Sequence, residues 1–128
     1  MEKNIYIITN NPKIKEQYQT KMNVYFCQGG YIDVFMEIRK HVHEGSVLLT
    51  HPMLSSMKPN QTPYRSAILM YKNNENLDYE SLRVIENSIE SAEKFLKHKK
   101  TPLWNDKIRN DFQTVDLSFI TNCFNKMY

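Results

Sequence analysis

A chain of 128 residues, 41% hydrophobic and 24% charged, has room for one domain with a real core, and its three glycines exclude collagen-like, linker-like and low-complexity readings. A formal charge of +3 is too weak for a dedicated nucleic-acid binder, which needs a concentrated basic face. No window approaches the roughly 18 apolar residues of a membrane span, and MEKNIYIITNN has no basic stretch followed by a long apolar run, so it does not read as a signal peptide.

Ile5 to Thr9, IYIIT, is apolar with β-branched and aromatic residues, which predicts a strand buried on both faces, as in a parallel sheet. Asn10 or Asn11 caps the helix that follows, Pro12 suits its first turn, and Ile14 and Tyr18 lie four apart on one side. Val24 to Cys27 predicts a second, shorter strand, broken by Gln28-Gly29-Gly30. Tyr31, Val34, Phe35, Ile38 and Val42 then mark one side of a helix over Tyr31 to His43, with Gly45 as its stop. Ser46 to Thr50 is the third strand.

The segment from Thr50 to Ser66 is unlike the rest. It holds three of the five prolines, Pro52, Pro59 and Pro63, and carries His51, Lys58 and Arg65 with no acid. An irregular connection of about 15 residues is usually functional or disordered. The prolines and flanking strands argue for a stiffened, mildly cationic functional loop. Ala67 to Tyr71 is the fourth strand, and Asn73 to Asn76 a polar turn. Asp78 caps a long helix with Leu82, Ile85, Ile89, Ala92 and Leu96 at steps of three and four. The basic run Lys94, Lys97, His98, Lys99, Lys100 complements the carbonyl end of that helix rather than a phosphate backbone. Thr101-Pro102 reads as the cap and first position of a last helical region. Its apolar spacing, Trp104 to Val115 and then Phe119 to Met127, leaves open whether residues 102–127 form one helix or two.

The element order β-α-β-α-β-loop-β-α-α predicts a single three-layer α/β domain over residues 1–128. The expected sheet is small and mostly parallel, in the order 2-1-3-4, with the last strand antiparallel and helices on both faces. Ligands of open sheets bind outside the carboxyl ends of the strands, where strand order reverses. That point gathers Thr9, Asn10 and Asn11 after strand one, Gly29 and Gly30 after strand two, and Thr50, His51, Ser55, Ser56, Lys58 and Arg65 of the long loop. Helix N-termini and cations there suit a small carboxylate or phosphate, which Arg65 could grip bidentately. Alternatively each residue has a local job: Thr9 and Asn10 capping, the glycines turning, the serines satisfying loop amides. His51 is the candidate for acid/base work, its ordinary pKa lying near neutrality, with no acid or nucleophile identifiable beside it.

Established signatures are missing: no GxGxxG, P-loop or GxSxG occurs, and no cofactor is expected. His41 and His43 point to different sides of a helix and lack partners at metal-ligand spacing, so no metal is expected. Cys27 and Cys123 form neither CxxC nor a framework and read as buried free thiols of a reducing, cytoplasmic protein.

YIITNNP near the N-terminus, LLTHP with KPNQTPYRS in the centre, LDYESLRVIENSIESAEKFL, and Trp104 followed by DFQTVDLSFI together resemble the GrdX family over nearly the whole chain. Members are small proteins encoded beside components of glycine, sarcosine or betaine reductase, selenocysteine-containing complexes with which anaerobic bacteria ferment amino acids. The resemblance implies a process and neighbours, with no catalytic residues to carry over. The expectation is an accessory protein of such a reductase system, binding a small anion or a reductase component through the 50–66 loop. The alternatives are a small-anion transferase or hydrolase using His51, and a purely structural interaction module. No nucleic acid or membrane is expected as a partner, and the oligomeric state is open.

Overall fold

The computed structural model describes residues 4–53, 62–72 and 76–127. The elements run β1 (Ile5–Thr9), α1 (Pro12–Tyr18), β2 (Asn23–Phe26), α2 (Tyr31–His43), β3 (Ser46–Leu48), β4 (Ser66–Tyr71), α3 (Tyr79–His98) and α4 (Asp106–Met127). Local chemistry explains most boundaries. Asn11 Oδ1 accepts the Lys13 amide at 3.0 Å, with Pro12 at the first helical position of α1. Asp78 accepts the Ser81 amide to start α3. After α2, Gly45 turns the chain at φ 109, a conformation that side chains with a Cβ rarely adopt.

The four strands form one mixed sheet in the order β2-β1-β4-β3. This corrects the expected 2-1-3-4 order and the mostly parallel pairing. β1 pairs parallel with β2, while β4 lies between β1 and β3 and runs antiparallel to both. The reason is burial. Ser66 to Leu69 of β4 are buried without a break, whereas Val47 and Leu48 of β3 are half-exposed. The strand that is apolar on both faces takes the centre and the three-residue strand takes the edge.

Alternation along β1 divides the core. Ile5 and Ile7 pack with Ile14 and Tyr18 of α1 and Ile120 and Phe124 of α4. Tyr6 and Ile8 pack with Val34, Phe35 and Ile38 of α2 and Ile85 and Ile89 of α3. The last region is one helix and starts later than Thr101-Pro102: Asn105 Oδ1 accepts the Ile108 amide at 2.9 Å, so Asn105 is the cap. Asn, a strong N-cap, stands immediately before α4 and outcompetes the earlier signal.

Candidate functional site

Because β4 lies beside β1, the end of the long connection enters the sheet next to the end of β1, with Thr9 opposite Ser66. Their hydroxyls lie 2.6 Å apart. Ser66 donates its one proton to Asp116 Oδ2, also at 2.6 Å, so Thr9 donates to Ser66. Thr9 Oγ1 in turn accepts the Asn11 amide at 2.9 Å. The chain of bonds thus runs from β1 through β4 to α4.

The two asparagines are spent on architecture. Asn10 Oδ1 accepts the Arg65 amide at 2.9 Å, and its Nδ2 donates to Pro63 O at 2.9 Å and Gly29 O at 3.1 Å. One carboxamide therefore ties together β1, the turn after β2 and the returning loop. Asn11 Nδ2 donates to Asp116 Oδ2 at 3.0 Å and Gln113 O at 2.9 Å, strapping α4 to the start of α1. Gln113 also donates to the Tyr64 hydroxyl at 2.8 Å.

Two ionisable groups are enclosed here. Arg65 is 0% exposed and Asp116 2%. The Arg65 guanidinium lies 5.4 Å from the centre of the Tyr31 ring. Burial raises the Asp116 pKa, opposed by the bonds from Ser66 and Asn11 and by the Arg65 charge. Burial lowers the pKa of Arg65, opposed by Tyr31 and Asp116, yet a guanidinium does not lose its proton in a protein. Burial likewise raises the Tyr31 phenol, with Arg65 opposing. Asp116 Oδ1 accepts no hydrogen bond among the described residues. A permanent cation thus sits near a carboxyl whose negative charge burial disfavours.

Thr9, Asn10, Asn11, Gly29 and Arg65 are brought together at this edge. Gly30 starts α2 from an exposed position, its amide donating to Asp33 Oδ2 at 2.9 Å. Thr50 Oγ1 accepts the Ile68 amide at 3.0 Å and so anchors the other stem of the loop. Exposed His51 accepts the Met53 amide at 3.1 Å and lines a groove of about 420 Å³ between β3 and the start of α3, with Leu48, Asp78 and Ser81. Burial and then the Arg83 charge lower its pKa, favouring neutral imidazole. Its contacts among the described residues are towards α3, not the Arg65 cluster. Ser55, Ser56 and Lys58 lie outside the described residues.

Asp116 and Tyr31 were not anticipated as site residues. The signal for Asp116 is an acid on the stripe Phe112, Asp116, Ile120, Phe124, where every other member is apolar. Among the described residues no three His, Cys, Asp or Glu side chains gather as a metal set, and no helix is long and apolar enough to cross a membrane. Cys27 and Cys123 are free, partly buried thiols whose pKa values burial pushes up. The family described as GrdX-like protein matches the chain over residues 6–125. No curated protein and no solved structure matches it.

Proposed function

The chain belongs to the GrdX-like family, and we propose that it is an accessory protein of a glycine, sarcosine or betaine reductase system. In this reading it takes a small anionic group, carboxylate or phosphate, at the carboxyl edge of the sheet, where the 50–66 connection leaves β3 and enters β4. The anion is either free or carried by a reductase component. The observation that supports this is the position of the Arg65 guanidinium, enclosed where the long connection enters β4 and facing the Tyr31 ring. A carboxylate or phosphate accepts the paired N–H bonds a guanidinium offers. The loop stems, held by Asn10 and Thr50, give such an edge fixed walls.

Acetate and inorganic phosphate are the probes, read by calorimetric titration and by the unfolding midpoint. Saturating binding is expected, with about 2.7 kcal/mol of stabilisation at a hundred times Kd. Arg65→Met should abolish it, and Arg65→Lys should retain part of it. Tagged protein should also retain reductase components from a producing cell. Absence of both saturable anion binding and component capture would defeat the reading.

A further inference from the structure

At the opposite end of the sheet the α2/α3 face stops being apolar. Ile8, Ala67 and Leu69 give way to Asn4 and Tyr6 on and before β1, Asn23 and Tyr25 on β2, and Tyr71 on β4. The last turn of α2 overhangs this floor, bringing His41 and then Glu44, and together they enclose a pocket of about 510 Å³.

Its interior is organised. The Tyr6 hydroxyl lies 2.5 Å from Ser46 Oγ and 2.9 Å from His41 Nδ1, and His41 Nε2 lies 3.2 Å from Glu37 Oε1. The Tyr25 ring stands edge-on to His41 at 4.7 Å and to Tyr6 at 5.2 Å. Tyr25 and Tyr71 nevertheless stay 46% and 43% exposed, so they present ring surface rather than core. We infer that this pocket binds a protonated primary amine, a small organic ammonium ion, by ring faces, neutral acceptors and one carboxylate.

Three features converge on that chemistry. The acidic lining residue is Glu44, with Glu37 behind His41, while Lys40 and His43 of the same turn are exposed and do not line the pocket. His41 of the last turn of α2 and its C-cap Glu44 line the pocket, and the end of a helix dipole there favours cations. Tyrosine faces attract cations, and the oxygens of Asn4, Asn23 and the phenols can accept three ammonium hydrogens. The phenol of Tyr6 senses the same field: its pKa is pushed up to about 12, chiefly by burial, with the Ser46 bond opposing and Tyr25, Glu44 and Glu37 each raising it. Acceptors among the rings suit a primary ammonium better than a quaternary one, which has no hydrogens to donate.

The test is an amide-resolved NMR titration with n-butylammonium, and with 1-butanol as the uncharged analogue. The expected result is saturable shifts around Tyr25, Glu44 and Ser46 with the amine and none with the alcohol. Tyr25→Leu should weaken binding about two- to fivefold, the range of one exposed cation–ring contact, and Glu44→Gln at least as much. Both sites are exposed, and unchanged unfolding midpoints will show that the variants fold. Absence of saturation, equal response to butanol, or unchanged affinity in both variants would overturn the assignment. Arg65→Met should leave this binding intact, so its outcome is separable from that of the anion site.

Discussion

Asn10→Ala tests whether the carboxyl edge is held by one side chain. The carboxamide, 6% exposed, serves the Arg65 amide, Pro63 O and Gly29 O. Truncation orphans the buried Arg65 amide, which costs about 1–3 kcal/mol. The two carbonyls are partly accessible and regain water, so each adds about 0.5 kcal/mol. The total is about 2–4 kcal/mol. Unfolding entropy of about 2.1 cal/mol/K per residue gives roughly 0.27 kcal/mol per kelvin for this chain, hence a midpoint lower by about 7–15 °C. Calorimetry reads the midpoint, and amide hydrogen exchange reads the site: the Arg65 amide should lose protection in the variant well before amides in the middle of β4. A loss below about 0.5 kcal/mol, or an Arg65 amide equally protected in both proteins, would refute the reasoning.

Asp116 has its folded-state pKa raised, so protonation favours the folded protein. The stabilisation is full below the ordinary Asp value of about 3.9 and is lost as pH rises through the raised folded value. Urea unfolding of wild type and Asp116→Asn should therefore differ by an amount that moves against the wild type as pH climbs from 3.5 to 7; a constant difference would contradict this. At Gly29 an added Cβ would lie 2.0 Å from Asp33 Oδ2, so Gly29→Ala should displace the carboxylate that caps α2 and cost about 1 kcal/mol. In the Gly29→Ala background, Asp33→Ala should cost almost nothing further, and full additivity in the double-mutant cycle would rule the clash out. Ser81 Oγ accepts the outward amide of Leu48 at 2.9 Å and donates to Asp78. Ser81→Ala should cost about 1–3 kcal/mol of stability, read as a lower urea midpoint with an unchanged m-value, and a neutral result would show that water replaces it.

Features written in short stretches of chain were legible. IYIIT announced a strand buried on both faces, Asn10-Asn11-Pro12 a helix start with either asparagine as cap, Gly45 a stop, and the Leu82 to Leu96 stripe a long helix. The place of β4 was not, because strand order follows a competition for burial between Ala67–Leu69 and Val47–Leu48 that no local period records. The edge residues Thr9, Asn10, Asn11 and Arg65 were legible as neighbours, since turns after strands share one end of a sheet. Their bonding was not. Asn11 meets Asp116 across 105 positions, and a carboxamide that could face a ligand reads the same as one consumed by a helix strap. The α4 boundary failed for a simpler reason: Thr101-Pro102 and Asn105 are both sound start signals, and it is Asn105 whose side chain accepts the Ile108 amide and caps the helix.

The insertion of β4 between β1 and β3 also constrains how the chain folds. Thr9 meets Ser66 across 57 positions, and until that contact closes β1 has only β2 beside it and β3 has no strand to join. Closing so long a loop carries an entropic penalty before any pairing rewards it. During synthesis the first half of the chain can form α1 and α2, but its strand edges stay open until residues 66–71 emerge. The exposed interval is therefore set by the arrival of one hexapeptide, which makes β4 the expected centre of the folding transition state and the segment where substitutions should slow refolding rather than hasten unfolding.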